Sequence, residues 1–388
     1  MLIGQDICII GAGIGGLAAA CALAMRGARV TVLEQAEAVR EVGAGIQISP
    51  NGLAVLDALG VGDEVRARCP RSQAVHLLDG LTGRSVIRMD LAHLRPTQDF
   101  RLVHRADLID ILLSRASELG VVVETGQAVT AAKVNHDDVT LTVNGTPRDM
   151  PFVIGADGLR SILRPVLTGK RDPFFTGQVA WRAVVPAQGN EPVEARVFMG
   201  PGRHMVTYPL RDRTKINIVA VEERADWADE GWHHADDPEN LRSAFAMFAS
   251  EPKALLARAE TVNIWGLFRH PVAHQWHKGP AVILGDAAHP TLPFMAQGAV
   301  MALEDAWVLA DCLSVAGPDE GPALYQARRR HRVENVIEAA NGNARNYHYA
   351  NPVLRFMGHN ALRLANRLSP DTVLKRYDWI YDYDVTTA

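Results

Sequence analysis

The first thirty residues carry the clearest alternation of apolar and flexible segments in the chain. Residues 6–10 are apolar and rich in β-branched side chains, which predicts a short buried strand. The glycine-rich residues 11–16 follow, and the alanine-rich residues 17–26 predict a helix that Gly27 ends. Residues 28–33 again have the composition of a strand. A strand, a helix and a second strand of this length predict a right-handed parallel unit.

Later segments divide into apolar strands, short strands with turns, and helices. The predicted elements are a helix at 108–118, a strand at 121–124, short strands at 179–185, 195–199, 204–210 and 215–221, a buried strand at 281–284, and a helix from about 298 to 313. The run of short strands predicts an antiparallel sheet inserted beside the parallel one. The residues after about 320 have a largely helical pattern.

Composition places the chain among ordinary globular proteins, with 48% hydrophobic and 22% charged residues. Its 388 residues suffice for roughly two domains. A formal net charge of −4 provides no positive field for nucleic acid, and the arginines at 328–330 are interpreted as a solvated helix face. Four cysteines without a C-x-x-C pair predict neither a metal site nor a disulfide framework, and a cytoplasmic location is expected.

Residues 7–24 are apolar enough to require comparison with a targeting segment. They lack a basic start, and four glycines interrupt the apolar run, which favours a buried strand and helix over a signal sequence. Elsewhere no stretch reaches ~18 uninterrupted apolar residues, so no integral membrane association is expected.

The glycine-rich turn is the first candidate binding site. Gly11, Gly13 and Gly16 form a G-x-G-x-x-G pattern between a predicted strand and a predicted helix. In such a turn the glycines permit a sharp bend, close approach to a pyrophosphate, and tight helix packing. Glu34 ends the next strand, where an acid bonds ribose hydroxyls; a surface glutamate after a structural turn is the alternative. The candidate residues of this unit are Gly11, Gly13, Ile14, Gly15, Gly16, Glu34 and Gln35.

Two later segments carry further signatures. Residues 155–161 read Gly-Ala-Asp-Gly-Leu-Arg-Ser, and residues 285–290 read Gly-Asp-Ala-Ala-His-Pro, each after a predicted strand. A glycine fingerprint, an Asp-Gly segment and a Gly-Asp segment occur in this order in the single-component flavoprotein aromatic hydroxylases. From residue 6 to about 312 the chain resembles this family, which includes para-hydroxybenzoate hydroxylase and salicylate hydroxylase.

The resemblance implies an α/β fold with a Rossmann-like FAD-binding parallel sheet, an inserted antiparallel β-sheet substrate domain and a helical C-terminal tail. The expected FAD-binding domain is discontinuous and comprises residues 1–75, 100–175 and 278–320. The expected substrate-binding domain comprises residues 76–99 and 176–277, followed by a C-terminal helical segment at 321–388. The sequence contains no second G-x-G-x-x-G pattern, so a separate nicotinamide domain is not expected.

The resemblance also implies FAD contacts at matching positions. Asp286 takes the place of the aspartate that bonds the ribityl chain, although an aspartate at a strand end is often only a cap. Asp157 matches the residue that touches both FAD and the incoming nicotinamide cofactor. Arg105 lies in a His-Arg-x-x-Leu element whose arginine contacts the flavin, with an ordinary helix-start charge as the alternative. The remaining expected contacts are Arg40 near the pyrophosphate, Gln47 near the isoalloxazine, Val129 near the adenine, and Gly298 and Ala299 near the flavin pyrimidine.

The substrate side is predicted around His204 and Tyr208. Side chains at 204, 206 and 208 face one side of a strand, and ~13 Å between the first and last would bracket a ring-sized ligand. The His-x-x-x-Tyr-Pro pattern resembles the subgroup that acts on 3-hydroxybenzoate, salicylate-like acids and 6-hydroxynicotinate. In that subgroup the histidine and tyrosine engage the phenol and help to deprotonate it. A structural histidine and a strand-ending Tyr-Pro are the alternatives.

The resemblance therefore implies a FAD-dependent monooxygenase that hydroxylates a small phenolic or hydroxy-heteroaromatic acid with NAD(P)H and O₂. In the family, NAD(P)H reduces FAD, O₂ adds to the reduced flavin, and the resulting hydroperoxide delivers OH to the ring. His204 suits proton exchange at neutral pH because the ordinary histidine pKa is ~6.5. The alternatives are a same-fold epoxidase or urate-type hydroxylase, and a flavin reductase or dehydrogenase without oxygenation.

Overall fold

The computed structural model describes residues 2–39, 45–170, 172–211, 213–224, 226 and 234–387. Within these ranges the chain forms nineteen strands and twelve α-helices. The strands are β1 (Asp6–Ile10), β2 (Arg29–Leu33), β3 (Gly45–Ile48), β4 (Ala74–Asp79), β5 (Ser85–Asp90), β6 (Arg101–His104), β7 (Val122–Glu124), β8 (Val129–Val134), β9 (Val139–Val143), β10 (Thr146–Met150), β11 (Val153–Gly155), β12 (Phe174–Pro186), β13 (Glu194–Gly200), β14 (Arg203–Leu210), β15 (Lys215–Glu223), β16 (His234–Asp236), β17 (Val262–Arg269), β18 (His277–Lys278) and β19 (Ala281–Ile283). The helices are α1 (Ile14–Ala24), α2 (Pro50–Ala58), α3 (Gly62–Arg68), α4 (Leu91–Leu94), α5 (Arg105–Glu118), α6 (Arg164–Thr168), α7 (Pro238–Ala244), α8 (Ser250–Ala257), α9 (Gly298–Tyr347), α10 (Pro352–Leu368), α11 (Pro370–Lys375) and α12 (Asp378–Tyr381).

A six-stranded sheet forms one half of the molecule, in the order β18-β19-β11-β1-β2-β7. All its pairings are parallel except that of β18 with β19. Helix α1 is buried along nearly its whole length and packs against α5 and α9. Its small alanine side chains allow close packing on all sides, and a helix that is apolar on every face is stable only inside a core.

The strands β1, β11 and β19 are parallel neighbours, so their carboxyl ends lie at the same edge of the sheet.

An eight-stranded sheet forms the other half, in the order β16-β17-β12-β15-β14-β13-β4-β5. Its pairings are antiparallel apart from β13 with β4. One face is packed against α7 and α8 through an aromatic core that includes Trp181, Phe198 and Phe245. The register of β14 with β15 sets His204 opposite Val221 and Tyr208 opposite Asn217. This places both predicted catalytic side chains on the same strand in a fixed position.

The predicted fold class is confirmed, with three local differences. Helix α1 begins at Ile14, three residues before the alanine run, since the fingerprint turn already starts the helix. The helix predicted at 298–313 continues to Tyr347 with a break at Gly317, whose φ of +73° is the left-handed conformation that glycine favours. A three-stranded sheet, β10-β9-β8, was not predicted. Among the described residues no helix combines the length and apolarity needed to cross a membrane.

Candidate active site

The glycine fingerprint forms a tight turn between β1 and α1. A Cβ on Gly16 would lie 2.0 Å from the Gly11 carbonyl oxygen, so only glycine allows the helix to sit this close to the turn. Gly13 precedes α1, and no heavy atom of the described residues stands within 4 Å of where its Cβ would be. The first turn of α1 therefore opens onto free space, where its N–H groups favour an anion such as a pyrophosphate.

Glu34 at the end of β2 is bonded to this turn. Its Oε2 accepts a hydrogen bond from the Ala12 backbone N–H at 2.8 Å, and its Oε1 accepts one from Ala36 N–H at 2.9 Å. Each carboxylate oxygen retains a further lone pair, so the side chain is able to accept ribose hydroxyls as well. Glu34 thus links the turn to the end of β2, a role that the sequence pattern did not predict.

A cavity of about 290 Å³ lies where the parallel sheet, β3, the eight-stranded sheet and the start of α9 meet. Its lining combines glycines and apolar side chains with a few polar groups. The lining residues are Gly13, Ile14, Gly15, Gly45, Ile46, Gln47, Arg105, Ala156, Gly158, Arg182, His204, Val206, Tyr208, Val219, Val221, Leu284, Gly285, Asp286, Thr291, Leu292, Pro293, Ala296, Gly298, Ala299 and Ala302. Largely apolar walls with few convergent polar groups are typical of a small-molecule site.

The structure brings many of the predicted site residues together in this cavity. Those that line it are Gly13, Ile14, Gly15, Gln47, Arg105, His204, Tyr208, Asp286, Gly298 and Ala299. Gly11 and Gly16 lie behind it in the fingerprint turn, Asp157 follows β11, Gln35 is exposed after β2, and Val129 begins β8. Arg40 lies outside the described residues. The roles of all these residues in binding a cofactor remain predictions.

Asp157 and Asp286 are the two aspartates predicted to contact the cofactor. Asp286 lines the cavity, and the low polarity of its surroundings raises the pKa of its carboxyl, against the opposing influence of His289 and Arg105. Asp157 accepts a hydrogen bond from Ile162 N–H at 2.7 Å, and burial raises its pKa as well. Its Oδ1 is buried and has no hydrogen-bond partner among the described residues. A hydroxyl donor from a ligand would satisfy that oxygen.

A buried ion network holds the loop that carries Asp286. Asp305 on α9 accepts hydrogen bonds from Gly285 N–H at 3.0 Å and Arg329 Nε at 2.8 Å, and its Oδ2 lies 2.5 Å from His289 Nε2. The neighbouring Glu304 pairs with Arg329 at 2.6 Å. The hydrogen bond between His289 and Asp305 thus holds the loop of residues 285–289 against α9. Sequence reasoning missed the network, although two adjacent acids in the apolar first turns of α9 were a usable signal.

The strand β14 supplies the polar groups on the substrate side. His204 is 2% exposed and Tyr208 4%, and both line the cavity together with Val206. Burial raises the pKa of the Tyr208 phenol, while Arg182 acts in the opposite direction. Arg182 on β12 also lines the cavity, with its guanidinium over the Trp265 ring at 5.3 Å. Sequence reasoning missed Arg182, whose signal was one cation within an otherwise apolar strand.

A second histidine, absent from the predicted set, bonds His204 from behind. His204 Nδ1 lies 2.6 Å from His348 Nε2, and His348 Nδ1 lies 2.8 Å from Glu223 Oε1. Burial, with a further contribution from His348, holds the pKa of His204 well below its ordinary value. His204 is therefore neutral at neutral pH and able to accept a proton.

The sequence is similar to named enzymes along almost its whole length. It is 34% identical to 3-amino-4-hydroxybenzoate 2-monooxygenase of Streptomyces platensis, over 97% of this chain and 96% of the relative. It is 33% identical to 3-hydroxybenzoate 6-hydroxylase of Polaromonas naphthalenivorans, over 98% of this chain and 96% of the relative. A family model described as FAD binding domain matches residues 5–340. The chain belongs to the FAD-dependent aromatic hydroxylases.

This FAD-dependent aromatic hydroxylase also resembles solved structures. Klebsiella pneumoniae HpxO, complexed with FAD and uric acid, matches with a TM-score of 0.82 and 26% identity, over 96% of this chain and 98% of that chain. The resemblance predicted from the three sequence motifs is thus confirmed. As a member of this family the chain is a flavoprotein monooxygenase that binds FAD and uses NAD(P)H and O₂.

The residues of the hydroxylase fit FAD. Gly13 leaves free space next to the N-terminus of α1, whose backbone N–H groups are hydrogen-bond donors. Asp286, in the wall of the same cavity, provides a hydrogen-bond acceptor. The N-terminus of α9, at Gly298 and Ala299, also lines the cavity, where its dipole stabilises negative charge. When bound, FAD supplies electron transfer from NAD(P)H and activation of O₂.

Replacing Glu34 by alanine is expected to weaken FAD binding about 10- to 100-fold. A hydrogen bond to a charged group is worth ~1.5–3 kcal/mol, and the turn also loses its two backbone contacts to the carboxylate. FAD titration of the apoprotein, followed by flavin fluorescence, measures the change. Glu37→Ala is the matched control, since Glu37 is exposed on the same loop. An unchanged FAD affinity in Glu34→Ala would leave Glu34 with only its role in the turn.

Proposed function

We propose that this hydroxylase acts on a small phenolic acid, with His204 as the base that accepts the phenol proton. The observation that supports this function is a single cavity lined on one side by Asp286 and the start of α9, and on the other by His204, Tyr208 and Arg182. Relatives named for 3-hydroxybenzoate and 3-amino-4-hydroxybenzoate act on ligands of this class. We propose the FAD contacts predicted from the sequence as the cofactor site of the same cavity.

Three polar side chains of the cavity suit a phenolic acid. Arg182 is a fixed cation within a largely apolar wall, and a guanidinium binds a carboxylate with two parallel hydrogen bonds. His204 Nδ1 is engaged by His348, which leaves Nε2 as the nitrogen for the phenol. Tyr208 offers a hydroxyl two residues beyond Val206 on the same face of β14.

Removal of the phenol proton prepares the ring for reaction. Phenolate oxygen donates electron density to the ring carbons, which favours attack by an electrophilic oxygen. The cavity walls formed by Val206, Val219 and Leu292 restrict water around that ring. Phe294 packs against His204, with ring centroids 5.8 Å apart, and limits the positions that the imidazole can take. The protein thus contributes a base, an anchor for the carboxylate and a water-poor surface.

A substrate panel tests the proposed function. The phenolic acids 3-hydroxybenzoate and salicylate, and the hydroxypyridine acid 6-hydroxynicotinate, are expected to stimulate NAD(P)H oxidation and to acquire one labelled atom from ¹⁸O₂. The corresponding amides should be poorer substrates, because they lack the charge that Arg182 binds. Arg182→Met should raise KM for the acids about tenfold or more and reduce the preference over the amides. Mass spectrometry of the products together with steady-state kinetics measures both effects.

Arg242→Met is the matched control for Arg182. Arg242 lies on α7, pairs with Glu239 and does not line the cavity. Its replacement should leave KM for the acids unchanged. If none of the phenolic acids stimulates NAD(P)H oxidation or gains the label, the proposed substrate class is wrong. Stimulated oxidation with a label but an unaltered KM in Arg182→Met would assign the carboxylate to another residue.

A further inference from the structure

Three side chains form a continuous hydrogen-bonded row from the cavity to the protein surface. His204 on β14 contacts His348, which follows α9, at 2.6 Å, and His348 contacts Glu223 at the end of β15 at 2.8 Å. The His204 residue is 2% exposed and lines the cavity, the His348 side chain is 3% exposed, and the Glu223 side chain is 52% exposed. The row therefore has one end at the cavity and the other end in water.

The backbone holds these groups in place from three directions. Gly202 N–H donates to the His348 carbonyl oxygen at 3.3 Å, and Glu223 N–H donates to the Gly202 carbonyl oxygen at 2.8 Å. Two residues further on, His204 is fixed opposite Val221 in the sheet. The His204 ring also packs against the rings of Tyr347 and Phe294. The row is thus a consequence of the sheet register and of the position at which α9 ends.

The chemistry of the three groups determines where the protons lie. A carboxylate only accepts hydrogen bonds, so His348 Nδ1 carries a proton and donates it to Glu223. In the neutral ring His348 Nε2 is then an acceptor, and His204 Nδ1 must carry the proton between the two rings. His204 Nε2 is left with a free lone pair on the remaining side of the ring. All hydrogen bonds in the row consequently point from the cavity to the surface.

We propose that His348 and Glu223 form a proton outlet that conducts the proton accepted by His204 to solvent, a role that rests on the proposed phenolic substrate. The phenol O–H bond breaks and an Nε2–H bond forms on His204. The proton on His204 Nδ1 passes to His348 Nε2, and the proton on His348 Nδ1 passes through the Glu223 carboxylate to water. No electrons are transferred, and one proton enters the row for each that leaves. His348 is a positioning residue, since it acts through His204.

The burial of His204 supplies the reason for an outlet. An imidazolium at His204 would lose its hydration, and no carboxylate of the described residues bonds to it, so a proton is not retained there. Burial lowers the pKa of His348 as well, but His348 has a carboxylate in direct contact: Glu223 favours its protonated form, while Arg203 opposes it. Transfer toward Glu223 and water therefore proceeds to sites where positive charge is better stabilised. Without the next two groups, His204 would return the proton to the phenol.

The experiment follows ionisation of a chromogenic phenolic acid, 3-hydroxy-4-nitrobenzoate, in the oxidised FAD-loaded enzyme. The enzyme is mixed rapidly with this probe below the pKa of its phenol, and the visible absorbance of the phenolate is recorded. His348→Gln keeps a hydrogen-bonding side chain that does not relay protons, and it should slow phenolate formation at least tenfold. Glu223→Gln, at a half-exposed position, should slow it at least threefold. Equal rates in wild type and both variants would overturn the outlet.

His359→Gln is the matched control. His359 is another buried histidine of the C-terminal region, paired with Asp79 at 3.3 Å and absent from the cavity wall. Its replacement should leave the rate of phenolate formation at the wild-type value, and an equal loss in this variant would assign the effect in His348→Gln to packing. The FAD content of each variant checks that the protein has folded.

A second measurement does not depend on the substrate. Nitrogen-15 NMR of the imidazoles in the unliganded FAD-loaded enzyme reports which ring nitrogen carries the proton, with signals assigned from the His204→Gln and His348→Gln variants. Protons on Nδ1 of both rings would support the outlet, and a bare Nδ1 on His348 would overturn it. A wild-type enzyme that has these tautomers but does not ionise the phenolic probe would contradict the proposed substrate class and leave the direction of the row established.

Discussion

Replacing His204 by alanine is expected to lower product formation by ~10²–10⁴-fold while the protein keeps its FAD, since removal of a general base has effects of this size. Reduction by NAD(P)H does not require ionisation of the phenol, so NAD(P)H oxidation should continue. The electrons should then appear as hydrogen peroxide. Product, peroxide and NAD(P)H measured in the same reaction give the coupling ratio directly.

The pH dependence of this variant provides the decisive comparison. The deficit should shrink as pH rises toward the pKa of the substrate phenol, because solvent then removes the proton that His204 otherwise accepts. Tyr208→Phe is the matched variant on the same face of β14, and it should show a milder loss, mainly in substrate affinity. Normal coupling and an unaltered pH profile in His204→Ala would place the base elsewhere or indicate a substrate that needs none.

Replacing Asp305 by asparagine is expected to lower the free energy of unfolding by about 3–5 kcal/mol, the usual effect of removing one partner of a buried ion pair. Asp305 is fully buried, and in this variant it loses its ion pair with Arg329 and its carboxylate contact with His289. Thermal and urea unfolding of the FAD-free protein measure the change. Asp311→Asn on the same helix is the control: its side chain is 37% exposed, and replacing it should change stability by less than about 1 kcal/mol.

The same network predicts a dependence of stability on pH. Arg329 and His289 hold the pKa of Asp305 below the ordinary aspartate value of ~3.9 despite its burial. A lowered carboxyl pKa contributes stability above the unfolded value, and that contribution is lost as pH falls below about 4. Wild type should therefore lose more stability than Asp305→Asn in this range. If Asp305→Asn and Asp311→Asn have the same free energy of unfolding, the attraction between Asp305 and Arg329 only offsets the free energy lost by removing these charges from water.

Sequence reasoning succeeded where the determinants are local. The strand at 6–10, the fingerprint turn and the strands around β14 follow from apolar periodicity and glycine spacing within a few residues. Strand alternation placed His204 and Tyr208 on one face, and the resemblance to the aromatic hydroxylases identified that face as the substrate side; both residues line the cavity. Such patterns are short enough to be read without knowing which elements meet.

The residues that were missed depend on contacts between distant parts of the chain. Arg182 faces the cavity because of how β12 pairs with β15 and β17, and nothing in its strand alone selects that face. His348 meets His204 across 144 positions, at a point set by where α9 ends after its break at Gly317. Periodicity gives no information about contacts between residues far apart in the chain. A single histidine in a helical region therefore has no feature in the sequence that marks it as part of the site.

The length of α9 has a consequence for how this protein can be dissected. Helix α9 starts at the cavity, contains both Glu304 and its ion-pair partner Arg329, and ends one residue before His348. In a chimaera of residues 1–320 with the C-terminal segment of another protein, the buried Glu304 and Asp305 would lack Arg329. His204 would lack its hydrogen bond to His348. The residues after 320 are therefore not interchangeable with those of another protein, because their removal takes Arg329 from the buried ion network and His348 from the proposed proton outlet.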